Sequence, residues 1–215
     1  MLSGPSFIPD DVQNALVLFH GYGADGNDLF SLTPYLKKHF PQMAFFTPNA
    51  PQKIFGGGYE WFSLDDYFEK ENLDDDYLNI LSKRAKESLP LIQEYISSIK
   101  KQTNLHEKNI FIGGFSQGGL MACQTAFHQT ETFSGLILMS PVPPATIPSN
   151  AQKTDILITR GGIDNIIPLK AASLTKPLFE THGFNTKEII DPFAPHAISE
   201  IHLNGIIKFI QSHLS

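Results

Sequence analysis

Asn109-Ile110-Phe111-Ile112-Gly113-Gly114-Phe115-Ser116-Gln117-Gly118-Gly119 is the stretch from which the fold is read. Asn109 to Ile112 is a short apolar run of the kind that forms a buried strand, and Leu120 to Gln129 beyond the motif reads as a helix. Between them stands a G-x-S-x-G motif, Gly114 to Gly118. In that context the serine occupies a strained strand-to-helix turn with its hydroxyl exposed at the edge of a sheet. Strand and helix pass so closely that only small residues fit two positions before and after it. Gly114 and Gly118 meet that demand, with Gly113 and Gly119 as further relief. Ser116 is the candidate nucleophile.

Other apolar runs on either side extend the pattern: Ala15 to Phe19, Ala44 to Thr47, Gly135 to Met139, Asp155 to Thr159 and Thr186 to Ile190. Continuous runs without alternation suit strands covered on both faces, and helical patterns intervene between them. The longest, Asp75 to Thr103, repeats apolar residues every three or four positions from Leu78 to Ile99. Asp74-Asp75-Asp76 and Lys100-Lys101 complement its dipole, whereas Pro90 predicts a kink or two shorter helices. A final helix is predicted at Ile198 to His213, with Ile198, Ile201, Ile206, Phe209 and Ile210 on one side. The expected class is α/β, a mostly parallel sheet with helices on both faces. With 215 residues the chain fits one domain, 1–215, with no separate cap domain.

Composition narrows the function. A net charge of −6 argues against nucleic acid and against a polybasic membrane patch. No apolar run is long enough to span a bilayer and the start is unlike a signal peptide, so no stable membrane insertion and a cytoplasmic location are expected. The single Cys123 excludes an internal disulfide and a thiolate metal cluster, and no metal is expected.

Gly21-Tyr22-Gly23-Ala24-Asp25-Gly26 matches the dinucleotide fingerprint G-x-G-x-x-G, which opens the alternative of an oxidoreductase. That reading needs an acidic residue about 20 positions later, and none lies between Asp28 and Glu60. A third possibility is a hydrolase-like binding protein without turnover.

A serine nucleophile needs a histidine base and a carboxylate to orient it. In the chain order Ser, acid, His, each partner should follow a later strand. Asp164 lies on the loop after Asp155 to Thr159, and His196 follows Thr186 to Ile190. Asp191 competes for the acid but stands close to His196 along the chain. The oxyanion hole is assigned to the backbone N–H groups of Gln117, after the nucleophile, and Tyr22, in the Gly-rich loop. His20 is expected to shape that loop.

Taken together, His20-Gly21-Tyr22-Gly23-Ala24-Asp25, Gly114-Phe115-Ser116-Gln117-Gly118-Gly119, Asp164-Asn165-Ile166-Ile167-Pro168 and Pro195-His196 resemble the motifs of the phospholipase/carboxylesterase family of α/β-hydrolases. Thr47-Pro48-Asn49-Ala50-Pro51 with Tyr59-Glu60-Trp61-Phe62 resembles its loop bordering the active site. The resemblance implies a cofactor-free serine hydrolase of small carboxylic esters, acyl-thioesters or lysophospholipids, working as a monomer or homodimer. Two departures stand out: Arg160-Gly161-Gly162 ahead of the acid loop, and a short N-terminus that leaves little room for a leading hairpin.

The segment 48–73 carries turn residues and many aromatics, and is expected to border the site. Among the 17 Phe of the chain, Phe55, Phe62 and Phe68 fall in it, and Phe193 lies three residues before His196. Phe55, Trp61, Phe62 and Phe193 are the candidate substrate-binding aromatics, so Phe62→Ala is expected to alter acyl-length preference more than stability.

Overall fold

The computed structural model describes residues 1–64 and 74–214. Strands β1 (Ser6–Phe7) and β2 (Asn14–Phe19) precede two short helices, α1 (Gly26–Phe30) and α2 (Thr33–Leu36). After β3 (Met43–Phe46) comes a small hairpin, β4 (Gln52–Lys53) and β5 (Tyr59–Glu60). Then follow α3 (Asp75–Glu87), α4 (Leu89–Thr103), β6 (Ile110–Phe115), α5 (Gln117–Phe127), β7 (Gly135–Met139), β8 (Ile156–Gly161), α6 (Leu169–Thr181), β9 (Thr186–Asp191) and α7 (Glu200–Gln211).

Seven strands form one sheet in the order β1-β3-β2-β6-β7-β8-β9. All neighbours are parallel except β1, which pairs antiparallel with β3. The residues ahead of β2 therefore still supply an edge strand, two residues long. The central strands β6 and β7 are buried almost throughout, as their unbroken apolar runs require. β9 is the opposite edge and mixes Lys187 and Glu188 with its isoleucines.

Alternate residues of β2 face two different cores. Ala15, Val17 and Phe19 join the cluster formed with α3, α4, α5 and α6, while Leu16 and Leu18 join the cluster under α1, α2 and α7. The predicted long helix is two helices that meet at Ser88, and Pro90 sits in the first turn of the second, where its missing N–H costs nothing. The C-terminal helix is shorter than expected, and Ile201 points to solvent instead of joining its buried stripe. No helix among the described residues is long and apolar enough to cross a membrane.

Segment 48–64 is an ordered hairpin followed by a buried strap. Phe55 stands fully exposed at the hairpin tip. Trp61 and Phe62 are 0% and 1% exposed, packed in the core. Tyr67 and Phe68 lie outside the described residues.

Candidate active site

Because the strands that matter run parallel, the loops after β2, β6, β8 and β9 all emerge at one edge of the sheet, where ligands of open α/β sheets bind. Ser116 occupies the turn between β6 and α5 with φ 55° and ψ −117°. Positive φ in a serine is strained and persists only where neighbours hold it. Here the Ser116 N–H donates to Met139 O (2.9 Å), and its carbonyl accepts from Gly119 N–H (2.9 Å) and Val142 N–H (3.1 Å). A Cβ on Gly114 would stand 2.1 Å from Gly118 O, and one on Gly118 would stand 2.0 Å from Phe19 O. The motif's glycines are thus required by backbone packing of β6 and β2 against the start of α5.

Asp164 follows β8 and His196 follows β9, and the two meet: His196 Nδ1 lies 2.7 Å from Asp164 Oδ2. A carboxylate only accepts, so Nδ1 carries the proton and Nε2 is left as the basic nitrogen. The other carboxylate oxygen accepts from Ile166 N–H (2.9 Å) and Ile167 N–H (3.0 Å). Burial pushes the Asp164 carboxyl up, but the bonds from His196, Ile167 and Ile166 outweigh it and hold it below its ordinary value. The imidazole packs against the ring of Phe115, the residue before Ser116, with centroids 4.6 Å apart. Asp191 faces elsewhere, accepting from Phe193 N–H at 3.0 Å.

Across the serine runs the β2–α1 loop. A Cβ built on Gly21 would lie 3.5 Å from Ser116 Cβ, so Tyr22 belongs to the chain that passes over Ser116. The amides of Gly23 and Gly26 are already engaged, by Tyr59 O (3.0 Å) and Asn49 Oδ1 (2.8 Å). A phosphate cradle needs such amides open. The Gly-rich motif is therefore spent on holding its own loop.

Residues 9–214 match the family described as Phospholipase/Carboxylesterase. The chain belongs to this family. An acyl-protein thioesterase 1 from Neurospora crassa is 25% identical over 98% of this chain and 91% of that protein. A probable carboxylesterase from Oryza sativa subsp. japonica is also 25% identical, over 94% and 78%. Among solved structures, esterase PE8 superposes with a TM-score of 0.86 at 27% identity, covering 98% of both chains.

Within this family member, the strap residues expected to bind substrate do another job. Trp61 Nε1 donates to His20 O (2.9 Å), and its ring meets Phe19 edge-on at 5.0 Å. Trp61 and Phe62 cannot line a substrate surface because their side chains are used up in this packing. Phe193 is 84% exposed on the turn after β9.

Two residues singled out in the sequence, His20 and Arg160, gain definite partners, and the Gln117 side chain takes a role that the sequence did not reveal. His20 is fully buried: Nδ1 donates to Gly21 O (2.7 Å) and Nε2 accepts from Ala50 N–H (3.0 Å), which ties the β2–α1 loop to the segment after β3. The Gln117 side chain bonds the strap, a role its motif position does not advertise. Arg160, ahead of the Asp164 loop, pairs with Glu188 on β9 (3.0 Å) while its carbonyl meets His202 Nε2 (3.0 Å). Its guanidinium is thus directed to the edge strand, and Asp164 is oriented without it.

Proposed function

We propose that the chain is a serine esterase in which Ser116, His196 and Asp164 act as a triad. Ser116 Oγ attacks the acyl carbonyl as His196 Nε2 takes its proton. Asp164 holds the imidazole in the Nδ1–H tautomer and stabilises the imidazolium that forms. The Gln117 and Tyr22 amides receive the oxyanion, each worth roughly 10² to 10³ in rate. His196 then protonates the leaving group, and water repeats the sequence on the acyl-enzyme. The observation that carries this reading is the Asp164–His196 bond beside a serine held at positive φ.

The acyl chain is assigned to a groove of about 490 Å³ between α3 and α6, lined by Leu78, Pro143, Ala145, Leu174 and Leu178. Pro143 in its lining follows Val142, whose N–H bonds the Ser116 carbonyl. Such a groove suits one apolar chain on an ester or thioester. The test is a series of p-nitrophenyl esters and acyl-thioesters on the wild type and Ser116→Ala, with fluorophosphonate labelling. Turnover and labelling are expected in the wild type alone; persistence in the variant overturns the assignment of the nucleophile.

A further inference from the structure

A second cavity, of about 320 Å³, opens beside His196 on the other side of the sheet edge from the acyl groove. Leu29, Leu32, Phe115 and Ile198 of the α1–α2–α7 face line it, whereas Leu78 and Leu178 of the acyl groove belong to the opposite core. His196 forms part of its wall, and Asp28 and Ser31 stand at its α1 side. Asp28 brings the one carboxylate to this lining, and no Lys or Arg among the described residues lines it.

The leaving group of an ester receives its proton from the imidazole, so it departs on the side where His196 stands. With the acyl chain on the Pro143 side of the serine, the cavity walled by His196 is the alcohol side. A carboxylate there works against the reaction, since the tetrahedral intermediate is an anion and a nearby like charge raises its energy. The field of Asp28 reaches the oxyanion loop, where together with Asp25 it opposes the burial that depresses His20. A positive charge on the alcohol half removes that penalty. It pairs with Asp28, and the Phe115 face adds a cation–π surface.

We propose, resting on the esterase reading above, that Asp28 is a specificity-determining residue and that this cavity receives the cationic alcohol half of the ester. The bond from Ser116 Oγ to the acyl carbon forms as the acyl carbon–alcohol oxygen bond breaks. The serine proton passes through His196 to the departing oxygen. Water then regenerates the serine, so the products are a carboxylic acid and an alcohol whose cation is unchanged.

A matched pair of probes isolates the charge: butyrylcholine, and the neutral isostere 3,3-dimethylbutyl butyrate. The ratio of their kcat/KM values is expected to favour the cation by roughly three- to fivefold, the size of one partly solvated charge pair. Asp28→Asn brings the ratio close to one, Asp28→Lys takes it below one, and 0.5 M NaCl shrinks the wild-type preference. A wild-type ratio of one, or a ratio unchanged in Asp28→Asn, overturns the proposal. Hydrolysis of p-nitrophenyl butyrate reports separately on the esterase reading. If that fails, calorimetric binding of butyrylcholine to Ser116→Ala, compared with Ser116→Ala/Asp28→Asn, still decides the cavity: equal affinities overturn it, and weaker binding by the double variant supports it.

Discussion

Gln117 Oε1 accepts the backbone N–H of Trp61 at 3.0 Å, joining residues 56 positions apart. The same amide donates to Phe62 O at 2.7 Å, Ser88 Oγ donates to Trp61 O, and the Trp61 indole bonds the carbonyl of His20. One buried tryptophan thus connects the two segments to which the oxyanion donors are assigned, the start of α5 and the β2–α1 loop. Gln117→Ala leaves the Trp61 N–H and Phe62 C=O without these partners, and a buried orphan of this kind costs about 1–3 kcal/mol. Urea denaturation is expected to register that loss and kcat to fall with it; an unchanged midpoint would show that the strap does not depend on the amide.

The burial of the strap reverses the expectation for Phe62. Removing its ring opens a cavity in the core, so Phe62→Ala should destabilise by about 3–5 kcal/mol. Acyl-length preference should remain that of the wild type in whatever fraction stays folded. Thermal melts alongside a chain-length series distinguish the two effects.

Leu174 is the contrasting position, exposed on α6 within the groove assigned to the acyl chain. Leu174→Trp fills space there without disturbing packed atoms, so stability should change by no more than about 0.5 kcal/mol. Preference among p-nitrophenyl esters should move to shorter chains, read as kcat/KM against acyl length. An unaltered profile would place the chain elsewhere.

Backbone strain at Ser116 separates two inactive variants. Alanine keeps the penalty of φ 55°, whereas glycine accepts that angle freely. Ser116→Gly is expected to be more stable than Ser116→Ala by about 1 kcal/mol, measured as the difference in unfolding free energy. Equal stabilities would mean that the turn holds no strain.

Acid should weaken the fold in two stages. Burial depresses His20 below its ordinary value, and the Gly21 carbonyl and the charges of Asp25 and Asp28 oppose this without cancelling it. The unfolded chain therefore takes up this proton more readily. The contribution of His20 is complete above a pH of about 6.5 and declines as pH falls toward the depressed folded value. Asp164, held below its ordinary value, adds stability that is present above a pH of about 3.9 and is lost on further acidification. Urea midpoints between pH 7.5 and 5 should fall in the wild type and fall less in His20→Gln.

Much of this protein was legible without coordinates, because parallel strands buried on both faces write unbroken apolar runs. β7 spans the residues expected of it, Gly135–Met139, and β6 passes its expected end to reach Phe115. The Pro90 signal was real but local: it fixed a boundary between helices, which the apolar stripe shared by α3 and α4 concealed. Aromatics in a Gly- and Pro-rich segment looked exposed because nothing in linear order marks that the chain doubles back under a loop. Trp61 and Phe62 are buried by contacts with Phe19, His20 and Gln117, which are distant along the chain.

By itself the sequence determined the six parallel strands of the sheet, the strained serine turn and the order in which serine, carboxylate and histidine follow their strands, since each is written in residues adjacent along the chain; the antiparallel edge β1 was not marked. Tertiary structure alone decided that Asp164 meets His196 at 2.7 Å, that Trp61 is a buried rivet, and that one cavity opens between α3 and α6 and another beside His196. Hydrogen bonds and cavities arise between segments remote in sequence. Local pattern cannot encode them, because their geometry exists only once the helices have packed on the sheet.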